Sequence, residues 1–141
     1  MKNPIIFATC CILLSGCVSQ ETFVKNNIRY TEYELDRAEC ETNAAQEVAV
    51  NRSPGAEIAV AVLTGVYQTQ DANAPARKRN YEACMLKKGY QRVELPVCPN
   101  AQNAKATGVG PLTANKEIQV GKGSCYAMDA SGRIIFAKKE D

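Results

Sequence analysis

Apolar positions along the chain change their spacing three times. Residues 5–14 form one nearly unbroken apolar run, Ile5 to Leu14, too short to cross a bilayer, where about 18 or more such residues are needed. From Tyr30 to Tyr90 the spacing is helical, and from Val93 to Ala137 it breaks into short runs between turn residues. Tyr30-Thr31-Glu32-Tyr33-Glu34-Leu35 reads as a helix start. Thr31 can cap, Glu34 stands where a capping-box partner stands, and Tyr30 with Leu35 can form a hydrophobic staple. This helix is expected to run to about Asn51 or Arg52, because Ser53 precedes Pro54 and is pushed out of the helical region. Its apolar stripe is thin, Tyr33, Cys40, Ala44 and Val48, so it requires a partner.

The segment from about Asn73 to Lys88 fits that role. Pro75 suits a first turn, Lys87 and Lys88 the negative end of the helix dipole, and Gly89 a left-handed stop, with Tyr81, Cys84 and Met85 on one face. The connector between the two holds about 20 residues, too many for a structureless link in a compact domain. Ser53, Pro54 and Glu57 favour a third helix through Ala56 to Tyr67, whereas the β-branched Ile58, Val60 and Val62 favour a strand; length decides for helix. Ala61 and Gly65 make a small-residue step, and Ile58, Ala61, Val62, Gly65 and Val66 form either internal packing or an exposed interface. Further on, Val93–Val97, Glu117–Val120, Ser124–Met128 and Arg133–Ala137 are strand candidates, with Pro99–Asn115 a loop between the first and the rest. Gly121-Lys122-Gly123 and Asp129-Ala130-Ser131-Gly132 are turn sequences. The expected fold is α+β: a disulfide-linked antiparallel helical hairpin with a third short helix, then a small antiparallel β-meander.

The N-terminal residues change the picture most. Lys2, the apolar run and the narrowing to Leu14-Ser15-Gly16-Cys17 make a secretion signal that ends directly on a cysteine. The segment resembles the lipobox of bacterial prolipoproteins. That resemblance implies cleavage after Gly16, diacylation of the Cys17 sulfur and acylation of the new N-terminus. Two buried acyl chains, each methylene contributing about 0.8 kcal/mol, reach the regime of stable anchoring. An aspartate after the lipidated cysteine often retains such proteins in the inner membrane; Val18 stands there instead, which implies the outer membrane, periplasmic face. The expected division is residues 1–16 signal peptide, 17–29 lipid-anchored tether, 30–92 helical region and 93–141 β region, with 138–141 a solvated tail. Val18 to Asn27 lacks periodicity, and ten extended residues would hold the body up to ~35 Å from the leaflet.

Removing residues 1–16 from the 141 leaves a mature chain of 125 residues, one domain or two very small ones. Losing Lys2 takes the net charge from +2 to +1, which argues against a nucleic-acid partner. The chain contains no histidine and no tryptophan, so the commonest general base and metal ligand are missing. Of seven cysteines, Cys10 and Cys11 leave with the signal and Cys17 carries lipid, which leaves Cys40, Cys84, Cys98 and Cys125. Four cysteines in an oxidising compartment read as two disulfides, and their separations lack the close pairs of a zinc site. Antiparallel packing of the two long helices puts Cys40 about 18 Å and Cys84 about 16 Å from the shared end, so Cys40 to Cys84 and Cys98 to Cys125 is the expected pairing.

Charge points to the same partner helix. Residues 31–52 carry six acids and two bases, and residues 71–92 two acids and six bases. Cys84-Met85-Leu86-Lys87-Lys88-Gly89-Tyr90 is similar to the ending of small envelope lipoproteins with a cysteine on each arm of a helical hairpin. Chemistry is sparse. Gly121-Lys122-Gly123-Ser124 lacks the spacing of a phosphate loop, Glu39 with Glu41 and Glu32 with Asp36 sit on a solvated acidic face, and Arg77-Lys78-Arg79 is expected to pair with that acidic helix. No nucleophile and base assemble, so the expected class is not an enzyme and needs no cofactor or metal. The expected function is a lipid-anchored structural or adaptor protein docking on an envelope protein complex, with the bilayer as its other partner through acylated Cys17. A small module that captures a periplasmic ligand, enzyme or glycan is the alternative.

Overall fold

The computed structural model describes residues 19–69 and 71–139; the expected signal peptide, the expected lipidation site Cys17, Val18, Gln70 and the last two residues lie outside them. The chain is α+β, with four helices and two small antiparallel two-stranded sheets. In order they are β1 (Ser19–Val24), α1 (Tyr30–Glu47), α2 (Pro54–Thr64), α3 (Ala74–Lys87), β2 (Gln91–Pro96), α4 (Ala101–Thr107), a 3-10 turn (Pro111–Thr113), β3 (Ser124–Met128) and β4 (Ile134–Lys138).

Residues 19–24 are not a tether. They pair antiparallel with β2, from Ser19 opposite Pro96 to Val24 opposite Gln91, and Thr22, Phe23 and Val24 are buried. Their strand signal is weak on its own and emerges only once β2, far along the chain, supplies hydrogen bonds. Ordered structure is therefore present from Ser19, and the ten-residue extended spacer expected over Val18–Asn27 is not formed.

α1 starts one residue earlier than the expected cap, and Thr31 lies inside it. Its free N–H groups are satisfied from elsewhere: Tyr30 N donates to Lys116 O, and Thr31 donates through both N and Oγ1 to Ala114 O. Those long-range carbonyls replace the capping box, and Leu35 is exposed rather than stapled to the buried Tyr30. The helix ends at Glu47, short of Arg52, because Val48 is extended and residues 51–52 are drawn into a bridge with Asp71.

Cys40 and Cys84 join α1 to α3, and Cys98 and Cys125 join the start of the C-terminal region to β3. α3 ends at Lys87, and just beyond it Gly89, at a φ of 86°, lets Tyr90 N donate to Met85 O. Tyr33 is the hub of the main core, with ring centroids 5.6 Å from Tyr30, 6.0 Å from Tyr90 and 5.4 Å from Phe136. Met85 and Ile118 are fully enclosed around it.

β3 and β4 are covered on both faces. Tyr126, Ile134 and Phe136 face the main core, while Cys125, Ala127, Ile135 and Ala137 face a second core with Cys98 and Ala104 of α4. This double burial explains their continuous apolar runs. The segment expected as a loop, Pro99–Asn115, contains α4, whose Asn100 side chain caps the helix by accepting from Asn103 N. Glu117–Val120 does not join β3 and β4 as a third strand: Glu117 bridges Arg29, and Ile118 exchanges bonds with Asn27 and Ile28. The turns at residues 121–123 and 129–132 form where expected, with left-handed Gly123 and Gly132.

Candidate functional site

The connector folds as a helix, and that helix leaves the body. Pro54 occupies its first turn, and Gly65, at φ 72°, ends it with its N–H bonded to Ala61 O at 2.8 Å. Gly65 is thus a stop signal, itself exposed, with Ala61 half-buried one turn earlier. Of α2's own residues only Glu57 is buried, at 3% exposure. Ile58 is 57% exposed, Val62 79% and Leu63 85%, and Val66 and Tyr67 just beyond are also open. A helix apolar on nearly every side is normally enclosed; this one is not.

A polar clasp holds the limb to its root. Arg52 makes a two-pronged ion pair with Glu57, Nε to Oε1 at 3.0 Å and Nη2 to Oε2 at 2.7 Å, and Tyr67 Oη donates to Oε2 at 3.1 Å. Glu57 in turn holds the Arg52 guanidinium above its ordinary pKa. Below the clasp, Arg52 bridges Asp71, and Ala72 N donates to Asn51 O at 3.0 Å. The Asp71 carboxylate accepts from the Arg77 guanidinium and from the N–H groups of Asn51 and Asn73. Arg77, then those amides, hold its pKa at about 2. A hollow of about 680 Å³ lies between limb and root, lined by Ser53, Ala56, Glu57, Val60, Asp71 and Pro75 among others.

A second exposed apolar feature lies at the other end of α1. The 3-10 turn contacts α1 near its start, where Thr31 bonds Ala114, and it carries Leu112 at 94% exposure. Beside it is a hollow of about 260 Å³ lined by Pro111, Ala130, Arg133 and Ile135. With α1 18 residues long, about 27 Å separates the two ends.

The remaining candidates have structural roles. Asp36 accepts from Lys88 and Tyr90, Glu39 from Lys88, Glu41 from Arg37, and Glu32 lies 4.0 Å from Lys25, so each of these four carboxylates is engaged by a cationic side chain. Partial burial raises the Asp36 pKa, but the bonds from Lys88 and Tyr90 outweigh it and hold the group below its ordinary value. Burial, then Asp36, drives the Tyr90 hydroxyl in the opposite direction. Arg77 and Lys78 do not pair with α1 as expected: they meet Asp71 and Glu82, and it is Lys88 that reaches the acidic helix. Gly121–Ser124 is a tight turn leading into β3, with Ser124 N donating to Gly121 O. Among the described residues no group of three acids, cysteines or histidines could hold a metal ion, and no helix is long and apolar enough to cross a membrane. No known protein family, curated protein or solved structure matches the chain.

Proposed function

We propose that the protein is a lipid-anchored adaptor on the periplasmic face of the outer membrane, held by an acylated Cys17 and docking on an envelope assembly through protein–protein contacts. One observation supports this above the rest. A body with a well-enclosed core carries its three most exposed large apolar side chains, Leu112, Leu63 and Val62, on the 3-10 turn at the start of α1 and on α2 beyond its end. An adaptor needs two separated contacts on a stiff spacer. In this reading α1 and α3 are that spacer, an antiparallel helical hairpin: Asp36 meets Lys88, Cys40 meets Cys84 and Glu47 meets Asn80, rising along one helix and falling along the other.

Two experiments test it. The wild-type chain is expected to incorporate labelled fatty acid and Cys17→Ser to incorporate none; a wild-type chain that takes up no label, or a Cys17→Ser variant that takes up as much, refutes the anchor. A photo-crosslinking residue at position 112 in intact envelopes is expected to give one dominant protein adduct, lost on adding a charge at the neighbouring Ala130. No protein adduct refutes docking at this end. The hollow beside Leu112 favours a second reading, a small capture module, which an adduct of low mass would support.

A further inference from the structure

We infer that α2 is a second membrane contact, laying Val62, Leu63 and Val66 into the acyl region of the leaflet that holds Cys17; this rests on the anchoring half of the proposed function. Charge carries the argument first. Among the described residues 53–69 the one carboxylate is Glu57, and it is enclosed, clasped by Arg52 and bonded by Tyr67. The limb's outward surface is therefore uncharged. A bilayer demands that, since a charge carried into the acyl layer is costly. Cations belong at the margin of such a contact, against anionic headgroups. Lys78, its side chain 70% exposed, and the exposed Arg79, with no ion-pair partner among the described residues, stand in the first turns of α3 beside the root.

Size and position agree. An eleven-residue helix is about 16 Å long, and one flank offers well under the ~800 Å² per partner of a stable protein complex. A second copy or a partner protein would thus be held weakly, whereas a limb on a body already at the leaflet needs only a small contact. Cys17 lies two residues before β1, and Glu21 of β1 lines one hollow with Glu41 and Lys78. Those two residues belong to the C-terminal half of α1 and the N-terminal half of α3, the halves from which α2 extends. The described strand nearest Cys17 in sequence therefore lies against the halves of α1 and α3 from which the limb extends.

The absence of tryptophan supplies the test. The mature chain with Cys17→Ser, secreted behind an ordinary cleavable signal, is made with Leu63→Trp or with Leu112→Trp as its single tryptophan. It is mixed with vesicles of phosphatidylethanolamine and phosphatidylglycerol. The Leu63→Trp emission is expected to shift to the blue and to be quenched by acyl-brominated lipid, with Leu112→Trp unchanged. Adding Val62→Asp weakens partition by about tenfold or more, and Arg79→Gln weakens it on anionic vesicles but not on phosphatidylcholine. No shift with vesicles overturns the inference, as does an equal shift at both positions. A shift that grows with protein concentration without lipid also overturns it and points to a second copy; a shift produced only by envelope protein points to a protein groove. The unacylated chain is used throughout, so failure here leaves the Cys17 reading standing, and failure of acylation leaves this result standing.

Discussion

If α2 serves contact rather than folding, cutting it out should leave the body intact. Arg52 and Asp71 face each other as an antiparallel bridge, so residues 53–70 can be replaced by Asn-Gly, the two-residue turn that such a pair accepts. The excision removes 18 residues and adds two, which shortens the loop closed by Cys40–Cys84 from a separation of 44 to about 28. In the chain-entropy picture the disulfide then stabilises the fold by about 0.4 kcal/mol less. Against this, no core residue is lost, because neither apolar cluster contains a side chain from α2. Arg52, already partly exposed, returns its guanidinium to water. The net change is within about 1 kcal/mol, or about 4 °C in the melting temperature of a domain of this size. Thermal unfolding followed by far-ultraviolet circular dichroism measures it, with mass spectrometry confirming both disulfides. Vesicle binding is expected to disappear in the same variant. A fall of about 8 °C or more, or a failure to form Cys40–Cys84, would show that the limb holds the fold together and would refute the division drawn here.

Replacing Cys40 and Cys84 together by alanine should cost about 4 kcal/mol, and replacing Cys98 and Cys125 about 3.5 kcal/mol, since the first pair closes the longer loop, with separations of 44 and 27; urea unfolding checks both values, with a steeper slope in each variant because its denatured chain is more open. The Asp71 carboxylate, held at about 2 against an ordinary 3.8, contributes root stability that is fully present above pH 3.8 and lost as pH falls through about 2. The amide resonances of Asn51 and Asn73 should titrate with that midpoint, and Arg77→Gln should move it upward. Gly108→Ala would bring a Cβ to 2.5 Å from Ala104 O and 2.8 Å from Phe136 O, both backbone atoms that cannot swing aside. A loss of about 1–3 kcal/mol is expected, read by thermal unfolding.

The helical region was largely legible because its signals are local or nearly so. Pro75, Gly89 and the Tyr81, Cys84 and Met85 face mark α3 within its own length, and matching heights along two helices suffice to bring Cys40 to Cys84. The turns at 121–123 and 129–132 are likewise local chemistry. What was hidden depends on distant chain. Thr31 and Glu34 are the right residues for a capping box, yet carbonyls from Ala114 and Lys116 reach the same N–H groups first. α4 has little apolar content beyond Ala104 and owes its place to the second core that Cys98–Cys125 helps build. Ile118 is fully buried, but a single buried residue flanked by exposed ones does not announce whether it belongs to a sheet or, as here, to a strap across the start of α1.

Two segments whose placement the sequence hid, β1 and α2, bear most directly on the proposed function, and the reason is physical. β1 is polar at its first three residues and buried at its last three, so its pattern is that of a strand entering a core from a surface. That surface is where the proposed anchor would stand, and burial of Thr22, Phe23 and Val24 ties β1 to the body where the sequence pattern promised a free tether. For α2 the sequence gives helix type through length and Pro54, but periodicity cannot say what covers a helix that is apolar almost all round. Ordinarily the interior of the same chain does. Here Gly65 stops the helix, the Arg52–Asp71 bridge closes the excursion at its root, and the clasp turns the one carboxylate inward, so every local choice agrees on presenting the apolar residues outward. Local rules that agree with one another while violating burial mark a surface made for something outside the chain.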